Sequence, residues 1–123
     1  MKDTTAPEME PLAFHPGVLV TNARRLHELH PASFQVPDAG ALARIGHDIP
    51  MVKIGLQLAD SDQPGERLWV RVDGPADSVG QLTGRLANDP ITSLGARFEW
   101  GTPITFNLRH IMATDTDSED TQA

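Results

Sequence analysis

From residue 50 onward, apolar and polar positions alternate with a period of two, and this alternation sets most of the expected fold. Met51, Val52, Ile54, Leu56 and Leu58 predict a first strand, followed by the turn-rich stretch Asp60-Ser61-Asp62-Gln63-Pro64-Gly65. Glu66 to Asp73 reads as a second strand, with Leu68, Val70 and Val72 on one face and Arg67, Trp69 and Arg71 on the other. Gly74-Pro75-Ala76-Asp77-Ser78 turns the chain into a third strand over Val79 to Leu86, where Leu82, Gly84 and Leu86 share a face. Asn88-Asp89-Pro90 ends that strand, because proline supplies no ladder donor and restricts Asp89. A short Arg97-Phe98-Glu99-Trp100 segment and a strand carrying Ile104, Phe106 and Leu108 finish the sheet.

Before residue 50 the spacing is helical. Val18, Leu19, Ala23, Leu26 and Leu29 fit one face of a short helix between Gly17 and His30, capped by Thr21 or Asn22 and stopped by Pro31. Asp38 caps a second short helix from Ala39 to Ile45 that ends at Gly46. The sum is an α+β domain, with one or two short N-terminal helices packed on a strongly bent antiparallel sheet of four to five strands or a small open barrel. Residues 1–11 and 113–123 show no periodicity and little apolar area to offset ordering entropy. The expected organisation is a flexible segment 1–11, a single domain 12–113 and an acidic disordered tail 114–123.

Composition narrows the chemistry. The 123 residues contain no cysteine, which excludes disulfides, thiolate metal sites and a cysteine nucleophile. The first residues carry no apolar stretch of the signal-peptide kind, and no run approaches the roughly 18 apolar residues of a bilayer span, so the expectation is a soluble, cytoplasmic protein. The net charge of -7 opposes a general polyanion-binding role. It is uneven, however: residues 1–11 carry one lysine and three acids, and residues 114–123 carry four acids and no base. The middle of the chain is nearly neutral.

Glycines 80, 84, 95 and 101 form no phosphate-cradling loop, which removes the usual warrant for nucleotide binding. His27 and His30 stand three apart on the first expected helix, close enough to share a metal, but four-residue spacing is what the helical metalloprotease motif needs. The default reading is a pair of solvated helix-end histidines. His110 shares parity with Ile104, Phe106 and Leu108, which puts a satisfied, partly buried histidine at the core-facing edge of the sheet. Asp60, Asp62 and Glu66 lie around one turn but lack calcium-loop spacing. No cofactor is indicated.

Trp69 carries the most chemistry. A hairpin closed around Ala76 sets Trp69 across from Thr83 and Arg67 across from Arg85, and directly opposed like charges want an acid between them. Tryptophan flanked by Arg67, Arg71 and Arg85 has the composition of a protein-interaction hot spot. The competing, default reading buries Trp69 under the N-terminal helix with arginines extended around it.

Residues 51–111 resemble a family of small bacterial domains of unknown function, sometimes called YegJ-like. The residues that carry the resemblance are Val52-Lys53-Ile54, Gly65-Glu66-Arg67-Leu68-Trp69-Val70-Arg71-Val72, Gly84-Arg85-Leu86-Ala87-Asn88-Asp89-Pro90, Gly101 and His110-Ile111. Related small domains look like immunity proteins that accompany secreted toxins. The resemblance therefore implies a non-catalytic protein-binding domain, an immunity-like or inhibitor-like partner of another bacterial or phage protein. Two alternatives come from other classes. One is a single-stranded nucleic-acid module using Trp69 and the nearby arginines, and the other is a metal-dependent hydrolase built on His27, His30 and His110.

Overall fold

A computed structural model describes residues 8–59, 65–90 and 98–115 of the chain. The architecture is α+β. Strands β1 (Met9–Pro11), β2 (Val18–Thr21), β3 (Met51–Leu58), β4 (Glu66–Val72), β5 (Gln81–Leu86) and β6 (Pro103–Asn107) lie in chain order in one antiparallel sheet. A seventh short strand, β7 (Ala113–Thr114), also pairs with β3. On one edge of β3, Leu56 to Leu58 pair with β2 while Val52 and Lys53 pair with β7. On the opposite edge Met51 to Leu56 pair with β4. The sheet curls into a half-barrel whose concave side holds Val18, Val20, Val52, Ile54, Leu56, Leu68, Val70, Leu82, Leu86, Ile104 and Phe106.

Two short helices, α1 (Ala23–Leu29) and α2 (Ala39–Arg44), occupy the connection between β2 and β3. Each starts where a side-chain oxygen meets an orphan backbone donor: Asn22 accepts from Arg25 N–H and Asp38 from Ala41 N–H. After α2, Ile45 and Ile49 are fully buried and close the core. Gly46 between them has φ +85°, and a Cβ there would fall 2.3 Å from the carbonyl carbon of Gly74, so the helix exit packs directly on the β4–β5 connection. Gly84 permits the bend of the sheet. A side chain at that position would sit 2.5 Å from the Arg71 carbonyl oxygen.

The sheet has seven strands rather than the expected four to five, and the additions come from segments read otherwise in the sequence. Val18 and Leu19 belong to β2 and not to the first helix. In Val18-Leu19-Val20-Thr21 the two valines are buried and the residues between them are not, a period of two that β-branched side chains favour. Met9–Pro11, expected to be flexible, forms β1 because Glu10 is anchored across the molecule, and Thr114, assigned to the tail, is completely buried in β7. The remainder of the tail, residues 116–123, and the 60–64 turn lie outside the described residues. Arg97 does too, while Phe98 to Trp100 form a turn instead of a strand, and Leu108 starts a single 3-10 turn (Leu108–His110).

The β4–β5 hairpin is centred on Ser78 instead of Ala76. Val70 pairs with Leu86, Arg71 with Arg85 and Val72 with Gly84. The cause is a self-contained turn: the Asp77 carboxylate accepts from the N–H groups of Val79 and Gln81, and Asp77 N–H donates to the Gln81 carbonyl. Those bonds occupy residues that a tighter hairpin would have paired. Because the slip is by an even number of residues, the inner face of β5 is as expected, whereas the partner of each outer side chain changes.

Candidate protein-interaction surface

The convex face of β3, β4 and β5 carries Lys53, Arg67, Trp69, Arg71 and Arg85. Lys53 and Trp69 are directly opposed in a pair without mutual backbone hydrogen bonds, the kind of site where side chains come closest. The Lys53 ammonium accordingly sits 4.8 Å from the centre of the Trp69 ring. Trp69 is half-buried, and the chain between α1 and α2 reaches this face at Phe34, whose ring centre is 6.0 Å from the Arg67 guanidinium. The tryptophan is thus neither sealed beneath α1 nor fully open. Lys53, half-buried itself, takes the place against the ring that the helix was expected to take.

Arg67, Arg71 and Arg85 are exposed. Like charges do meet across the strands, but the pair is Arg71 and Arg85, in place of the expected Arg67 and Arg85. Among the described residues no ion pair includes any of these arginines or Lys53. Directly opposed like charges on a sheet cost up to about 1 kcal/mol.

One further residue belongs to this surface and was missed in the sequence. Trp100 is 65% exposed on the turn before β6. Asn88 and Asp89, consecutive in the chain, each hold the backbone of one tryptophan: the Asn88 side chain accepts from Trp69 N–H at 2.7 Å and the Asp89 side chain from Trp100 N–H at 2.9 Å. Arg85 donates to the carbonyl of Gly101, the residue after Trp100, at 3.4 Å. The Asn88-Asp89-Pro90 stretch, expected to end the strand, thus also holds the backbone of both tryptophans. Side-chain acceptors two residues past a strand are the sequence signal that could have revealed it.

A second polar cluster closes the half-barrel. The edges of the sheet, β1 and β6, are not hydrogen-bonded to each other, and each carries a proline without an N–H, Pro11 and Pro103. Side chains bridge them instead. At one end the Glu10 carboxylate accepts from Arg109 Nη2 at 2.7 Å, from Arg109 Nε at 3.0 Å, from Asn22 Nδ2 at 2.6 Å, and lies 3.0 Å from His110 Nε2. At the other end His15 Nε2 is 3.2 Å from the Pro103 carbonyl and its ring tilts against Phe98. The crossings run from 10 to 15 on one side and from 109 to 103 on the other, as an antiparallel seam requires. Between them a cavity of about 130 Å³ remains, flanked by Leu12, Ala13, Thr105 and Phe106.

The tautomer of His110 follows from its partners. Asn107 N–H donates to Nδ1 at 3.0 Å, so Nδ1 is the acceptor and Nε2 carries the proton donated to Glu10. Burial holds the His110 pKa below its ordinary value, although Glu10 works against that. The Arg109 guanidinium, helped by His110 and Asn22, lowers the Glu10 pKa to about 2 against the opposing effect of burial. At neutral pH this is a carboxylate with its oxygens saturated by donors and a histidine with both nitrogens engaged. His27 is also engaged, with Nδ1 2.7 Å from the Phe34 carbonyl, and His30 ends α1 in solvent. The structure therefore does not bring His27, His30 and His110 together, and among the described residues no group of three or more His, Asp or Glu side chains is placed to hold a metal.

No family model, curated protein or solved structure matches this chain. No helix among the described residues is long and apolar enough to cross a membrane.

Proposed function

We propose that the chain is a non-catalytic protein-binding domain, an immunity-like or inhibitor-like partner of another bacterial or phage protein, and that it makes contact through the convex face of β3 to β5 and the Trp100 turn. The observation that carries this reading is the pair of tryptophans whose backbones are tethered by the adjacent residues Asn88 and Asp89, next to an exposed Arg85 that bonds the Gly101 carbonyl, with Trp100 left 65% exposed. Tryptophan and arginine dominate interface hot spots because each supplies a large contact area from a semi-rigid side chain. Glu10 and His110, the carboxylate and histidine that meet in this fold, have their hydrogen bonds within the seam between β1 and β6.

The single-stranded nucleic-acid alternative has less support. Binding along a strand draws on successive stacking rings, and Lys53 occupies one face of Trp69, which leaves Trp100 as the exposed ring of this surface. Recovery of a partner by tagged protein from cells of the source, compared among the wild type, Trp69→Ala, Trp100→Ala and Arg67→Ala, tests the proposal. Loss of the same partner in at least two variants that unfold at the wild-type temperature is expected. Undiminished recovery by all three removes this surface from consideration.

A further inference from the structure

The Arg71 and Arg85 side chains stand opposite each other in a hydrogen-bonded strand pair, where Cα atoms are about 5.5 Å apart, and both are exposed. A folded chain ordinarily places an acid beside such a pair, but among the described residues no ion pair joins an acid to either arginine, and six of the acids are committed elsewhere. Glu10 closes the seam, Asp38 caps α2, Asp48 pairs with Arg44, Glu28 with Arg25, Asp77 closes its own turn and Asp89 holds Trp100. Asp73, two residues beyond Arg71, is engaged through its backbone with Thr83 and forms no ion pair among the described residues. The repulsion between Arg71 and Arg85 is thus uncompensated within the described chain, and Lys53 and Arg67 on the same face add to the positive potential.

We propose that this arginine pair is a carboxylate-binding subsite, and that the partner presents an acidic protein segment whose Asp or Glu side chain bridges the two guanidiniums. This deepens the protein-binding reading above and rests on it. The argument is charge complementarity made specific by geometry: a carboxylate has two oxygens in one plane, and two guanidiniums on adjacent strands offer it donors from both sides. Met51 flanks Arg71 and Pro103 flanks Arg85 in the same cross-strand row, so the subsite has apolar shoulders that limit access of water to the bridging carboxylate. Trp69 and Trp100 supply contact area around it. An acidic segment is favoured over a nucleic acid because a bound strand draws on successive stacking rings, and with Lys53 over one face of Trp69 the exposed ring here is that of Trp100.

The test is an NMR titration of the full chain with a peptide of Glu-Ser repeats, its Gln-Ser analogue and an oligothymidylate. Amide shifts at Met51, Arg71 and Arg85, together with the two arginine Nε–H signals, should move with the Glu-Ser peptide and not with the Gln-Ser analogue. Affinity should fall as salt is added. Arg85→Glu should weaken peptide binding by about tenfold or more, the loss of one close charge contact. The same substitution should keep or raise the thermal unfolding midpoint, because it replaces a repulsive pair with an attractive one across the strands. That combination separates a binding role from a structural one, since a residue kept for stability would lower the midpoint when reversed. Equal response to the Glu and Gln peptides, unchanged affinity in Arg85→Glu, or tighter binding of the oligothymidylate than of the Glu-Ser peptide each overturns the subsite. If it falls while partner recovery still depends on Trp69 and Trp100, the error lies in the partner's charge and not in the surface.

Discussion

The seam between β1 and β6 makes a prediction whose size follows from its geometry. Glu10→Gln keeps the shape of the side chain but removes its charge, and its amide nitrogen must then face a donor from Arg109 or Asn22. The Glu10 pKa is depressed from 4.5 to about 2. At about 1.4 kcal/mol per pKa unit that difference sets a ceiling of about 3 kcal/mol. The Arg109 side chain is 40% exposed and that of Glu10 24%, so solvent screening brings the expected loss at pH 7 down to about 2 kcal/mol. A depressed acidic pKa contributes stability that is complete above the unfolded value of 4.5 and is withdrawn as pH falls toward 2. Urea denaturation of the wild type and of Glu10→Gln across this range should show two curves about 2 kcal/mol apart at pH 7 that draw together as pH falls toward 2, where the wild-type carboxyl begins to protonate in the folded state too. A gap below about 0.5 kcal/mol at pH 7, or parallel curves between pH 4.5 and pH 2, refutes the assignment of Glu10 as the clasp of the seam.

Other outcomes follow from the same contacts. His110, held neutral by burial, contributes stability that is present above pH 6.5 and lost as acid protonates it; Nδ1 then meets the Asn107 N–H donor to donor, so the Asn107 amide should lose hydrogen-exchange protection before the β3 and β4 amides do. Gly84→Ala should destabilise the domain by about 1 to 3 kcal/mol in urea denaturation, since the added carbon falls 2.5 Å from the Arg71 carbonyl oxygen, which belongs to backbone and cannot swing aside. Phe14 has φ +66° and is 85% exposed in the β1–β2 turn, so Phe14→Asn should raise stability by about 1 kcal/mol by relieving left-handed backbone, and no gain would mean that the ring makes a contact in solution.

The strands β3, β4 and β5 were legible because each buries one face of a curled sheet, which forces a strict alternation on Val52-Lys53-Ile54, Leu68-Trp69-Val70 and Leu82-Thr83-Gly84. The helix caps were legible for an equally local reason, Asp38 outright and Asn22 as one of two neighbouring candidates with Thr21. What escaped depends on contacts distant in the chain. Met9–Pro11 has no pattern of its own and becomes a strand because Glu10 reaches Arg109, 99 residues away. The hairpin register turned on which acceptor the Asp77 carboxylate became, and no hydrophobic pattern reports that. On the candidate surface, the outward parity of Arg67, Trp69, Arg71 and Arg85 was readable, but Trp100 joins them through Asp89, and the partner of Arg85 required the true register.

The net charge of -7 takes on a different meaning once the acids are placed. Glu10, counted with a flexible end, is structural, and Thr114 is buried against β3, so a truncation meant to probe charge alone has to leave β7 intact. Removing 116–123 deletes Asp117, Glu119 and Asp120 and changes the formal charge from -7 to -4. Removing 113–123 also strips Val52 and Lys53 of their β7 partners, so the longer deletion should cost more stability than the shorter one. For association, the sign discriminates between partners. If the arginine face meets an acidic segment, three fewer acids weaken long-range repulsion, and the association rate with the Glu-Ser peptide or with the recovered partner should rise at low salt and match the full chain at high salt. A slower association after truncation would mean that the acidic end itself attracts a basic partner, and Arg71 and Arg85 would then stand outside the contact.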